Sequence, residues 1–404
     1  MRLAIVAMAD FDKGGATVQR VQTLARGLAW LSHDVQVVVP QRFRPGPKTQ
    51  TIDGVTFHWA AETTEAAWNT TRERLRARKE TVGTVRRMAK EGLDWLVLYN
   101  LGLEAVALIV VAHRHGAKVA AEYCDTRVRP ERLGVTELIR FLWLSLADAI
   151  VPRRVDFNIA ISRYLLASLQ QKAPSTPAAI VPPLVDCDRF QPRPDQANQF
   201  RERWGITEAP IIAYCGSYWE VEGISTLLKA AQILAAQGER FKLVISGEPV
   251  TGLLCDDVAR LVREMRLSAC TVETGWLSTG DVIAAMSAAD ILVVPKIDHV
   301  ANRAGVATKM IEYISMGRPV VATRVGDVEA CLQDGEDALL CEPGNARDLA
   351  DRLRSLLREP SERLRLGCNA RRTATGRFDY RVVAAELDAS LRLPGTVAST
   401  LRRK

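Results

Sequence analysis

Apolar and polar positions along this chain change period repeatedly, from short all-apolar runs to stripes with helical spacing. Residues 2–8 read as a buried strand, 17–31 as an amphipathic helix and 35–39 as a second strand closed by Pro40. Further strands are expected at 95–99 and 118–122 with a helix between them. A second series opens with a strand in 211–217, a helix at 225–236 and a strand at 241–245. It continues with a helix at 281–289, a strand at 291–294 stopped by Pro295, a helix from Thr308 and a strand in 320–323. Alternating strands and helices point to an α/β chain with parallel, doubly wound sheets, in which ligands bind beyond the carboxyl ends of the strands.

The stretch 307–323 carries the sharpest chemical signal. Thr308 is a residue type that caps helices, so Lys309 is expected in the first turn, where free N–H groups and the helix dipole attract anions such as a diphosphate. Glu312 follows one turn later on the same side. A cation at an N–H-rich helix start with a carboxylate one turn on can hold a nucleotide-sugar by its phosphates and its ribose hydroxyls. Taken alone, these residues fit a capped amphipathic helix with a surface Lys–Glu pair equally well.

The surrounding segment resembles the donor-binding half of GT-B glycosyltransferases, most closely the retaining family 4 (glycosyl transferases group 1). The resemblance rests on Ala289, Asp290, Pro295, Lys309, Glu312, Tyr313, Gly317, Pro319 and Val320, and is most specific over 275–345. It implies two Rossmann-like doubly wound domains facing a central cleft. The expected division is 1–185 as an acceptor-side domain, 186–204 as a proline-marked linker, 205–377 as the donor domain, and 378–400 as a terminal helix that packs back on the first domain.

That resemblance implies Glu312 on the ribose diol and Lys309 on the diphosphate. Gly15, Gly216, Ser217, Gly247, Arg303 and Thr308 complete the expected donor site, and Glu122 and Asp125 are acceptor-side candidates. It further implies a retaining transfer from a uridine-linked sugar to a glycan, glycolipid or small-molecule acceptor, with no metal and no cofactor beyond the donor. Two departures stand out. Ala304 occupies the place of a first glutamate found in many members, and Glu222-Gly223 stands where Lys-Gly is usual, although a glutamate cannot neutralise phosphate. A nucleotide-sugar epimerase of the same fold and a non-catalytic partner subunit are the competing readings.

Composition adds little beyond this. The chain has 404 residues, enough for two sizeable cores, with 48% hydrophobic and 25% charged residues, which excludes a disordered chain. Eight scattered cysteines without C-x-x-C spacing fit a reduced, cytoplasmic setting. The histidines show no metal-ligand spacing, and Asp186-Cys187-Asp188 lies in the expected linker rather than at a strand end. Net charge is +7, and no nucleic-acid motif accompanies it. The excess gathers between Arg72 and Lys90, a basic helix suited to an anionic membrane surface or to plain solvation.

Overall fold

The structure is a computed structural model, and it describes residues 1–11, 15–64, 70–126, 135–250 and 253–393. Two compact units share the chain: Met1–Leu184 with the helix beginning at Tyr380, and Val185–Asp379.

The first unit is built on an eight-stranded sheet: β1 (Arg2–Ala7), β2 (Asp34–Arg42), β3 (Thr49–Ile52), β4 (Val55–Glu62), β5 (Trp95–Tyr99), β6 (Lys118–Tyr123), β7 (Phe157–Ala160) and β8 (Ala178–Ile180). Their order is β3-β4-β2-β1-β5-β6-β7-β8, parallel except for the β3–β4 pair. Successive side chains alternate between faces. Ala4, Val6, Leu96 and Leu98 enter one core with residues of α2 (Thr71–Lys90), α3 (Ala105–Arg114) and α4 (Val135–Ile150). At α1 (Ala16–Trp30), Gly27 lies so near Tyr380 and Ala384 that an added Cβ would meet Ala384 Cβ at 2.6 Å. This close seam joins α1 to the terminal helix α15 (Tyr380–Arg392) inside the first unit; residues 394–400 of the expected helix lie outside the described residues.

Two differences from expectation concern this unit. β2 does not end at Pro40: pairing with β1 stops at Val38 while pairing with β4 continues to Arg42, so the missing N–H breaks no bond toward β1. The β3–β4 hairpin was not anticipated; it turns through Asp53 (φ 48°) and Gly54 (φ 78°), the two left-handed residues of a tight hairpin. Residues 12–14, which precede the donor-site candidate Gly15, lie outside the described residues.

The second unit holds six parallel strands: β9 (Ile211–Cys215), β10 (Lys242–Ser246), β11 (Thr271–Gly275), β12 (Ile291–Val294), β13 (Val320–Thr323) and β14 (Leu339–Cys341), ordered β11-β10-β9-β12-β13-β14. Residues 186–204, expected as a linker, belong to this unit and contain α6 (Pro194–Arg203). Pro194 opens that helix, where its missing N–H costs nothing. Arg201 then fixes α6 by an ion pair to Asp290 at 2.9 Å. Asp186 does not look outward to a metal; its Oδ1 accepts the Asp188 and Arg189 N–H groups at 3.0 and 3.1 Å.

Candidate functional site

In the second sheet the strand order reverses between β9 and β12, which makes their carboxyl ends the switch point where a ligand crevice opens in doubly wound sheets. β9 leads into Gly216-Ser217 and β12 into Pro295-Lys296. The helix α11 (Thr308–Ser315) is locked to this edge by Tyr313, whose hydroxyl receives the Cys215 N–H at 2.7 Å and donates to the Cys215 carbonyl at 3.0 Å. Lys309 and Glu312 are therefore held relative to the end of β9. Thr308 is the first helical residue, not the cap; Ala307 takes that place without a side-chain bond.

Packing of the strand ends depends on glycine at two points. A Cβ on Gly247 (φ 145°) would stand 1.8 Å from the Gly216 carbonyl oxygen, and one on Gly223 (φ 78°) 1.9 Å from the Pro295 carbonyl oxygen. Gly216 itself leaves room for a lysine, since a Cβ there would meet Lys309 Nζ at 2.1 Å.

Glu222 lies at the centre of the charges. Its Oε2 accepts from Lys309 Nζ at 2.7 Å and its Oε1 from Lys296 Nζ at 2.8 Å. The Lys309 ammonium also donates to the Tyr214 hydroxyl at 2.9 Å and sits 4.5 Å from that ring's centre, a cation–π geometry. The Tyr214 hydroxyl donates its own hydrogen bond to the Ser217 carbonyl at 2.7 Å. Lys296 donates further to Asn302 Oδ1 at 2.8 Å, and the Asn302 amide is held by the Val221 and Ile297 carbonyls. Burial raises the Glu222 carboxyl, but the Lys309 and Lys296 ammonium groups outweigh it and hold it at about 2. Burial pulls the Lys309 ammonium down, and Glu222 more than reverses this, raising it. Two cations face one carboxylate, so the cluster keeps an excess positive charge. A cavity opens beside it, lined by Val294, Lys296, Asn302, Ala307, Thr323 and Asp327, at the start of α11.

Sequence reasoning thus placed Lys309, Glu312, Gly216, Ser217 and Gly247 at one edge of the sheet, with Glu312 half-buried one turn beyond Lys309. Lys296 was not among them. A lysine directly after the proline that ends a buried strand, at a switch point, is the signal that could have found it. Arg303 is turned to another task, a bidentate pair with Asp298 at 2.6 Å on an exposed surface. Gly15 caps α1 in the first unit.

The acceptor candidates separate. Glu122 is not a solvated carboxylate: it is buried and ion-paired to Arg20, which also donates to the carbonyls of Pro182 and Val181 at 2.9 and 3.0 Å. Burial lowers the Arg20 guanidinium, and Glu122 raises it above its ordinary value. Asp125 is exposed and accepts from Asn100 Nδ2 at 3.0 Å. Among the described residues no group of three or more His, Cys, Asp or Glu is placed to hold a metal ion.

Residues 209–359 match the family described as Glycosyl transferases group 1. That match lies within the second unit. Similar proteins include the MMP alpha-(1->4)-mannosyltransferase of Mycolicibacterium hassiacum, 30% identical over 51% of this chain and 46% of that protein. The phosphatidyl-myo-inositol mannosyltransferase of Mycobacterium leprae is 26% identical over 99% of this chain and 98% of its own length. The chain spans about half the length of the first curated relatives it matches, which cover 45–51% of it. Among solved structures, the sucrose-phosphate synthase of Thermosynechococcus elongatus superposes with a TM-score of 0.75 at 19% identity, covering 97% of this chain and 98% of that one. WaaG, a glycosyltransferase involved in lipopolysaccharide biosynthesis, gives 0.67 at 18% identity, over 98% and 100%. The fold of the chain is GT-B.

Proposed function

We propose that the chain transfers a sugar from a nucleotide-diphosphate sugar, bound in the second unit, to a hydroxyl acceptor with retention of anomeric configuration. The observation that carries this is the convergence of Lys309 and Lys296 on one point at the β9/β12 switch, beside the start of α11. Both ammonium groups act on the diphosphate, and the Glu312 carboxylate accepts the ribose hydroxyls. As the C1–O bond to the diphosphate breaks, charge grows on the departing oxygen, and fixed cations and N–H groups stabilise it without a metal. The acceptor oxygen bonds to C1 on the same face, and its proton passes to the departing phosphate oxygen, so no protein base is required. Retention gives an alpha product from an alpha-linked donor, and two relatives carry the alpha configuration in their names. Asp125 remains the acceptor-side residue; Glu122, spent on Arg20, is left out.

The sequence favours a uridine donor, whereas two relatives are named GDP-mannose-dependent, so UDP-glucose and GDP-mannose are titrated side by side by calorimetry. Saturable binding of one of them by the full chain, and its hydrolysis without acceptor, is the expected result. Binding of neither overturns the proposal, and binding without turnover under any acceptor marks a non-catalytic subunit. Chelator should leave turnover unchanged; loss restored by magnesium or manganese defeats the metal-free step. The acceptor side includes contact with an anionic membrane surface through the basic helix α2, whose Arg72, Arg74, Arg78, Lys79, Arg86 and Arg87 are exposed.

A further inference from the structure

The helix α4 shows solvent five large apolar side chains, Leu138, Ile139, Leu142, Trp143 and Leu146, each between 41% and 61% exposed. Spacings of four and three residues put them in one stripe. Ala147, which borders this stripe one turn after Trp143, is buried in the core of the first unit. A continuous apolar stripe on an otherwise polar surface marks a place where something apolar docks.

What borders the stripe decides the occupant. Val85 and Met88 of the basic helix α2 enter the same core cluster as Ala147, so both helices cover one face of the first sheet. Both reach the loop before α3. Glu104 there pairs with Arg78 of α2 at 3.8 Å and accepts the Gly102 N–H at 2.9 Å, while Leu144 of α4 lies 3.3 Å from where a Gly102 Cβ would stand. An apolar stripe on α4 and exposed cations on α2, linked through that loop, match a layer that is anionic at its surface and apolar beneath. The same cations would repel a second copy of the chain docked face to face. Among the described residues no helix is long and apolar enough to cross a membrane, which leaves α4 lying in the interface rather than through it.

We propose that α4 and the basic face of α2 form one docking surface for a bilayer containing anionic lipid, with Leu142, Trp143 and their stripe seated below the headgroups and the α2 cations on the lipid phosphates. This deepens the membrane part of the functional reading: attachment is by insertion as well as by charge. It lies in the unit that does not hold the donor site, so the two readings fail separately.

The test is co-sedimentation of the full chain with vesicles of phosphatidylcholine alone or mixed with phosphatidylglycerol. The wild type should bind the mixed vesicles at least about tenfold more tightly than the neutral ones, and less tightly as salt rises. Leu142→Ser with Trp143→Ser should lower binding to the mixed vesicles at least about tenfold even at low salt, where charge attraction is strongest. Arg74→Glu with Lys79→Glu should lower it in low salt only. Both variants alter exposed residues, and both should keep the wild-type melting temperature and nucleotide affinity. A wild type that ignores mixed vesicles overturns the proposal, as does an apolar variant that binds like wild type. A wild-type dimer in sedimentation velocity that the apolar variant dissolves would assign the stripe to a second copy instead. Failure of the donor reading would appear only in the nucleotide titration.

Discussion

Glu222 shows how one side chain changes meaning with its neighbours. Read in sequence it opposes a phosphate site; in the fold it fixes two lysines that would otherwise repel each other. Its carboxyl falls from the ordinary 4.5 to about 2, so its stabilising share is complete above 4.5 and is lost as pH drops toward about 2. Glu222→Gln should therefore flatten the acid arm of a stability–pH curve and cost about 2 kcal/mol near neutrality, because two ammonium groups lose their counter-ion. The same variant should bind a nucleoside diphosphate more tightly, since a repelling charge has gone; weaker binding in calorimetry would mean that Glu222 chiefly positions Lys309. Glu312→Gln should weaken donor binding by about 1.5–3 kcal/mol with the fold intact, the range for a hydrogen bond to a charged group. Unchanged affinity would remove Glu312 from the site. Lys309→Ala should lower turnover more than melting temperature, because Lys296 still neutralises Glu222.

At the scale of elements, the site depends on how closely strand ends approach. Gly223 caps the short turn after Glu222 with φ 78°, directly against the end of β12. Gly223→Ala should cost about 1–3 kcal/mol in urea unfolding and should also lower nucleotide affinity, because the displaced Pro295 carries Lys296 with it. Alanine tolerated with affinity unchanged would show that the approach is not what sets Lys296. Most strands and helices were legible because apolar runs and helical stripes report directly which face is buried. The exceptions have particular causes. Pro40 continues a strand because its partner on one side has already ended, and Pro194 begins a helix inside the segment expected as a linker. Asp53-Gly54 did announce a hairpin, but the polar strand Thr49–Ile52 has no buried face to mark it.

For the whole molecule, two units with their own sheets divide the chemistry: the paired lysines stand on the second, and the basic and apolar helices on the first. Added nucleoside diphosphate should slow amide hydrogen exchange around residues 214–223, 294–297 and 307–312, with α2 and α4 unchanged; protection confined to the first unit would relocate the donor site. Sequence alone determined the alternation of strands and helices, the two sheets, and the helix start that presents Lys309 and Glu312, because periodicity and local backbone chemistry act over a few residues. Only the tertiary structure decided that Glu222 lies between Lys309 and Lys296, 87 and 74 positions away, that Glu122 is spent on Arg20, and that α4 and α2 both reach the loop before α3. Such pairings are set by which strand ends meet and which helices share a face, and no local pattern carries that information.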